Sequence, residues 1–510
     1  MNVKLILGDQ LNSNHSWFQK VEHSTVFVIM ELRQETDYAF HHIQKVIAFF
    51  GAMRAFNKTL KSKGHQTHYL TLDDPLNTQN LVTNLIELLK HYKATQFSYQ
   101  QPDEYRLDQQ LKQFCTTIEL PTQVVDTEHF LTSRTALTSF FEGKKQLVME
   151  YFYRMMRKKY KLLMRGDQPE GGQWNFDKNN RKKWKGTPPI PAPYFPKPKS
   201  LQPLLEMIQA AGVKTIGSFE ESHFLYPLSR EEALEQLDYF CAELLIHFGD
   251  YQDALHTEEV NLFHSRLSFA LNTKLLHPLE VVEKVISHYR ASADQIELSQ
   301  VEGFVRQIIG WREYMRGIYW REMPEYTHMN TLQNTNPLPD FYWTAKTKMH
   351  CLHQTISNSL DHAYAHHIQR LMITGNFALL AQVHPDQVDQ WYLGIYADAI
   401  QWVQLPNTRG MSQWADGGIV ATKPYVSAAA YIHKMSNYCD QCTYDKNKRT
   451  GADACPFNSL YWNFLDDKKS YFLKNNRMAM MLRLLEKIPT EELVQLKLRA
   501  AKIMKHPDEF

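Results

Sequence analysis

The sequence predicts an α/β domain built on a doubly wound parallel sheet, joined by a basic, proline-rich connector to a large all-helical domain. Three observations predict it. Over the first 130 residues short apolar runs alternate with segments of helical spacing. From Arg165 to Ser200 periodicity stops and prolines accumulate, and beyond Leu201 the pattern is helical almost throughout. At 510 residues the chain exceeds what one ordinary core organises. The expected division is 1–130, 131–200 and 201–510.

The strands come first. Val3–Leu7, Val26–Met30, His68–Leu72, Gln96–Tyr99 and Gln123–Val125 are short apolar runs bounded by polar residues. Between them Ile43, Val46, Ile47, Phe50 and Met53 keep helical spacing, as do Leu81, Leu85, Leu88 and Leu89. Strands alternating with helices argue for an open, mostly parallel sheet covered on both faces. Ligands bind such sheets beyond the carboxyl ends of the strands. That places Gly8-Asp9-Gln10 and the stretch from Glu31 to Glu35 at a pocket mouth.

The connector follows. Prolines at 169, 188, 189, 191, 193, 196 and 198, with Gly171-Gly172, describe an extended stretch. Between Arg154 and Lys199 thirteen Lys and Arg face three acids, a local charge of +10; as the whole chain carries +2, the remainder carries −8. A basic strip on an acidic body steers a polyanion to one face, or is simply a solvated loop. The helical region shows breaks near Pro227, Pro278, Pro324–Pro339, Pro385, Pro406 and Pro424, and no internal repeat.

Composition narrows the class. Hydrophobic residues at 43% and charged residues at 22% are those of a globular protein, and no apolar run approaches a membrane span. The opening Met1-Asn2-Val3-Lys4-Leu5-Ile6-Leu7 is too short for the core of a secretion signal, and six cysteines in so long a chain form no disulfide framework, so a cytoplasmic location is expected.

Cysteine carries the most specific local signal. Cys439-x2-Cys442-x12-Cys455 lies in a polar loop, with Pro456 after the last cysteine. Four thiolates suit a [4Fe–4S] cluster or a zinc ion, and the fourth ligand comes from Cys351 or a histidine such as His433. Cys115 and Cys241 sit on amphipathic patterns and read as ordinary buried residues. A second signal is Phe263-His264-Ser265-Arg266-Leu267-Ser268, where two hydroxyls three apart open a helix and turn hydroxyl and N–H groups towards a phosphate. Such caps also occur without any ligand.

That segment resembles the flavin-phosphate turn of the cryptochrome/photolyase family, and its companions follow in the family's order. Arg306 to Tyr314 looks like the Trp-Arg-Glu helix, here Trp311-Arg312-Glu313. Ala365-His366-His367-Ile368-Gln369-Arg370 is similar to the His-His segment of the (6-4) branch. Tyr396-Ala397-Asp398-Ala399, Asn407 and Ser412-Gln413-Trp414-Ala415 resemble the stretch around the isoalloxazine ring. Cysteines 351, 439, 442 and 455 match the iron–sulfur bacterial branch, which favours the cluster over zinc.

The resemblance spans essentially the whole chain and implies the rest. Ser265, Arg266, Leu267 and Ser268 are expected to hold the FAD phosphates, with Gln307, Arg312, Asp398 and Asn407 around the flavin ring. Trp343, Trp391 and Tyr392 match the branch's electron relay; without the resemblance they would read as core packing. Gly8, Asp9, Gln10, Glu31, Glu35 and His42, with His41 and Lys45, resemble an antenna pocket for 6,7-dimethyl-8-ribityllumazine.

The implied function is light-driven repair of (6-4) photoproducts in UV-damaged DNA. His366 is expected to act as the acid and His367 as its neighbour, on one helix with side chains about 100° apart. Relatives that repair cyclobutane lesions place a carboxylate where Gln307 stands. Arg181, Lys182, Lys183 and Lys185 are expected at the DNA backbone; Trp184 either stacks on a base or docks the loop. The rivals are a blue-light photoreceptor of the same fold, an iron–sulfur nucleic-acid-binding protein without flavin, and a zinc-stabilised helical protein. Met478, Met481, Leu482 and Leu485 mark a C-terminal helix that caps the domain or dimerises it; the cap, and a monomer, is the expectation.

Overall fold

In the computed structural model, residues 1–196 and 200–510 are described; Lys197, Pro198 and Lys199, counted above in the connector, lie outside the described residues. Five strands, β1 (Asn2–Leu5), β2 (Thr25–Met30), β3 (Thr67–Leu70), β4 (Gln96–Gln100) and β5 (Thr122–Val125), form one wholly parallel sheet in the order β3-β2-β1-β4-β5. All five expected strands are present, each within two residues at either end. The order reverses between β1 and β4, so the crevice lies beyond Leu5 and Gln100.

Alternation along the strands divides the sheet into two faces. Val3, Leu5, Val26 and Val28 pack under α2 (Leu81–His91) and α3 (Tyr105–Thr117). Ile6, Phe27 and Ile29 meet α1 (Ile43–Ser62), and that core continues without a break into the helical region. The N-terminal of the expected units therefore shares its core with the C-terminal one. Polar contacts reinforce the seam: Lys45 Nζ donates to the carbonyls of Leu393 (2.6 Å) and Ala399 (2.7 Å), and Gln44 to that of Asp361 (2.6 Å). At Gly394 a Cβ would lie 2.3 Å from the Phe40 carbonyl, so the close approach needs glycine.

The expected connector opens with α4 (Met149–Tyr160), which packs on the turn Arg306–Arg312; Tyr153 is fully buried and donates to Glu302 (2.8 Å). A short hairpin (Met164–Arg165 with Gln168–Pro169) precedes the irregular stretch. The basic strip is not uniformly a surface: Arg157 is fully buried and bonds three backbone carbonyls.

The helical region positions the site with α5 (Ser268–Asn272), α6 (Leu298–Val305), α7 (Glu313–Glu322), α8 (His350–His362), α9 (Asn376–Leu380), α10 (Pro385–Ile395), α11 (Pro456–Asp467) and α12 (Thr490–Lys505). Four π-helical turns interrupt it, at Phe240–Leu244, Arg306–Arg312, Gln369–Gly375 and Pro406–Ser412. Such wide turns commonly mark functional sites. Of the C-terminal apolar residues Met478, Leu482 and Leu485 are buried, on or beside a short helix Ala479–Leu485, and α12 packs on α11.

Candidate functional site

The last three π turns meet at one cavity of about 750 Å³, which lies within the range of cofactor sites, roughly 300–1,000 Å³. Each widened turn turns side chains inward: Gln307 and Arg312 from one, Arg370 from the next, Asn407 and Ser412 from the third. Gly375 lets two of the turns touch, since a Cβ there would lie 2.1 Å from Ser412 Oγ.

Ser265, Arg266, Leu267 and Ser268 line the same cavity. The helix they open is only the five residues of α5, and Arg266 takes a left-handed backbone (φ 55°) just before it. The Arg266 guanidinium lies over Tyr364 (5.1 Å) and Tyr226 (5.6 Å), and its buried Nε has no hydrogen-bond partner. Opposite, Asp398 pairs with Arg370 at 3.0 Å. It is no surface carboxylate.

Arg312 is buried between Phe130 (4.8 Å) and Trp402 (4.9 Å), donates to Leu271 O, and leaves Nε without a partner. Burial outweighs the nearby Glu313 and Asp103 and lowers it to about 10. Asn407 and Gln307 each spend their amide N–H on the carbonyl four residues back, leaving the side-chain oxygen free for the cavity. These unpartnered buried groups, cationic at Arg266 and Arg312, are what an elongated anionic cofactor with a polar ring would satisfy.

The two histidines are not successive residues of one helix, as the sequence suggests. His366 precedes the helix as its cap, its carbonyl accepting from Arg370 N, and His367 is the first helical residue. His366 is buried and stacks on His264, ring centroids 4.5 Å apart; His367 is exposed at the rim. Neither ring nitrogen of His366 completes a hydrogen bond, although the Ala254 carbonyl lies close. Burial, then His264, His367 and Arg370, hold His366 well below the usual histidine range; His264 falls to about 4, chiefly by burial. Sequence reasoning missed His264, Tyr364 and Arg370 as cavity groups.

Tyr392 borders the cavity and donates to the Arg370 carbonyl (2.6 Å). Trp391 stands behind it at 5.2 Å, with Tyr342 at 5.1 Å and Tyr396 at 5.8 Å. Trp343 makes its ring contact with Phe40 (5.8 Å), while its chain neighbour Tyr342 makes the contact with Trp391.

At the sheet's crevice a smaller cavity of about 140 Å³ is lined by Gly8, Asp9, Glu35, His41 and Lys45 over Phe49, Phe50, Met53 and Trp402. Three expected residues do not belong to it. Gln10 is fully buried and bonds the carbonyls of Gln100 and Gln101. Glu31 is consumed by Arg54 (2.6 Å), Tyr69 and Leu72 N. His42 caps α1 through Nδ1 and donates from Nε2 to Leu360 O (2.7 Å). Their polar groups find partners within the chain. Tyr38, Asp103 and Glu104 line the cavity instead, from outside the strand-end segments that the pattern singled out. Burial brings Lys45 down to about 7.

Cys351, Cys439, Cys442 and Cys455 surround one small cavity walled by Met349, Tyr438, Tyr444 and Phe457, and His433 is not part of its lining. Cys351 stands in the first turn of α8, and Cys455 caps α11 ahead of Pro456. Among the described residues no group of three or more His, Cys, Asp or Glu is placed to hold a metal ion.

In the connector Arg181 pairs with Asp177, and both line the large cavity. Lys182 pairs with Asp250 (2.8 Å), Lys183 reaches the His433 carbonyl (3.3 Å), and Lys185 is exposed. Trp184 is 6% exposed, donates to Pro188 O and packs on His256, so it docks the loop and offers no face to a base.

A family model described as deoxyribodipyrimidine photo-lyase-related protein matches residues 4–224. A (6-4) photolyase from Agrobacterium fabrum is 41% identical over 477 residues, 93% of each chain. In fold the chain is similar to a bacterial class III photolyase from Agrobacterium tumefaciens (TM-score 0.59, 14% identity, 100% of this chain and 97% of that one). It is also similar to a Synechocystis cryptochrome (TM-score 0.56, 10% identity, 96% and 99%).

Proposed function

The chain belongs to the photolyase family, and on that premise we propose that it repairs (6-4) pyrimidine–pyrimidone photoproducts in UV-damaged DNA under blue light. The observation that carries the choice of lesion is His366, buried at the wall of the large cavity with both ring nitrogens uncommitted, while Gln307 offers an amide rather than a carboxylate.

FAD, when bound, supplies light-driven one-electron chemistry at the lesion. The protein's share is to bind, orient and manage protons. Arg266, with Ser265, Leu267 and Ser268, would hold the phosphates; Gln307, Arg312, Asp398 and Asn407 would surround the ring. The fit rests on the unpartnered Arg266 and Arg312 nitrogens and on the cavity's size.

Reversal of a (6-4) lesion returns a hydroxyl or amino group to its original base, which needs a proton. Burial and three cationic or cationisable neighbours hold His366 below the usual histidine range, which favours the neutral ring. An anionic substrate entering the cavity works against that suppression and draws a proton onto the ring, poising it as the acid. His367, at the rim, meets the flipped nucleotide, and flipping costs less at a damaged, poorly stacked site. Arg181, Lys183 and Lys185 present charge to the DNA backbone; Tyr392, Trp391 and Trp343 form an electron relay.

The four cysteines would hold a [4Fe–4S] cluster, and the crevice cavity 6,7-dimethyl-8-ribityllumazine, with Asp9, Glu35, His41 and Lys45 as its polar contacts at Gly8. The protein would act as a cytoplasmic monomer, in keeping with six unpaired cysteines and with no helix, among the described residues, long and apolar enough to cross a membrane. Blue-light restoration of an oligonucleotide bearing one (6-4) lesion, with a cyclobutane lesion and a dark reaction as controls, tests the proposal. Failure on both lesions with reduced flavin bound would leave the photoreceptor reading.

A further inference from the structure

The helix that begins at His367 carries one half of a capping box: Gln369, three residues past the cap, accepts from the backbone N–H of His366 through Oε1 (3.1 Å), while the His366 ring returns no bond. On a surface helix such a contact ends there. Here Gln369 is 3% exposed, and its amide Nε2 donates to Tyr438 Oη (3.1 Å). Tyr438 is itself 1% exposed, is the residue before Cys439, and walls the cysteine-lined cavity. Both polar ends of one buried side chain are thus spent, one on the histidine's backbone and one on the cysteine loop.

Arg370 holds the carbonyls of this segment, donating from Nε to Ala365 O (2.7 Å) and from its backbone N–H to His366 O (3.1 Å), and Gln369 takes the His366 backbone N–H. Ala363 leaves α8 in a left-handed conformation (φ 51°), and residues 364–366 belong to no regular element. The His366 ring is stacked on His264 without a completed hydrogen bond, so the backbone decides where the ring lies.

We propose that Gln369 and Tyr438 are positioning residues that tie the cysteine-bearing loop to His366, so that an intact cysteine site sets the geometry of the lesion-facing histidine. The inference rests on the repair role given to His366, but the link itself is read independently of activity.

The test uses the full-length, flavin-loaded protein. Amide exchange of the His366 peptide and single-turnover repair of a (6-4) oligonucleotide are compared in wild type, Gln369→Leu, Gln369→Glu and Tyr438→Phe. Gln369→Leu is expected to speed His366 exchange at least roughly tenfold and to slow turnover at saturating lesion roughly tenfold to a hundredfold, with lesion affinity within about twofold. Gln369→Glu, whose carboxylate accepts from both His366 N–H and Tyr438 O–H, is expected to restore both. Tyr438→Phe, a gentler change should the leucine variant not fold, is expected to speed exchange roughly fivefold. Wild-type exchange and turnover in Gln369→Leu, or wild-type exchange in Tyr438→Phe, would overturn the link. If wild-type protein repairs no lesion while the exchange effects appear, the repair reading fails and the link stands.

Discussion

His264 and His366 stack with ring centroids 4.5 Å apart and planes 19° apart, in the wall of the 750 Å³ cavity. Two imidazoles in that contact cannot both be charged, and burial already favours the neutral form of each.

Their pH dependence follows. A histidine whose folded pKa lies below its unfolded value binds more protons when unfolded, so its stabilisation is complete above about pH 6.5 and is lost as the pH falls. For His264, near 4 when folded, the loss between those values is about 1–3 kcal/mol. Thermal melting from pH 7 to pH 4.5 should show the decline, and His264→Gln should flatten it. An unchanged slope would mean that His264 does not contribute to the decline.

Arg266 awaits an anion. Arg266→Ala should weaken FAD binding by about 1.5–3 kcal/mol, roughly ten- to a hundredfold, with Arg266→Lys intermediate. Flavin absorbance per purified chain reads the loss. Full occupancy in the alanine variant would move the phosphates elsewhere.

At the crevice the two acidic residues should part company. Glu35→Ala should release the antenna chromophore with little change in melting. Glu31→Ala, which strands Arg54, should lower stability by about 2–4 kcal/mol while the remaining folded protein keeps the chromophore. Chromophore content by absorbance, set beside the melting temperature, separates them.

For the cysteine site, metal analysis should find about four irons per chain and little zinc, with Cys351→Ser and Cys455→Ser each losing the broad visible absorption beneath the flavin bands. Stoichiometric zinc would replace the cluster.

Much of the fold was legible because apolar periodicity is local. Five strands and their flanking helices announce themselves in windows of a few residues. Three of the cysteines stand out through spacing and the Cys-Pro step, but the fourth stays open between Cys351 and a histidine until the family resemblance points to Cys351, which lines the same cavity. What was not legible is how buried polar groups choose partners. Glu31, Gln10 and His42 look like ligand groups because they are polar at strand ends, yet each is saturated by the chain itself. Trp184 among cations looks like a stacking residue, but a carbonyl four residues on claims its indole N–H. His264 meets His366 across 102 residues of sequence, and no pattern along the chain encodes that pairing. The π turns are equally silent, since one extra residue per turn leaves the helical spacing almost intact.

The most direct test compares wild type and His366→Ala in single-turnover repair of a defined (6-4) oligonucleotide, after reduction of the flavin and under calibrated blue light. The account predicts efficient repair by wild type and a fall of roughly a hundredfold or more in the variant, with lesion binding and flavin photoreduction retained. Wild-type repair by His366→Ala would contradict it.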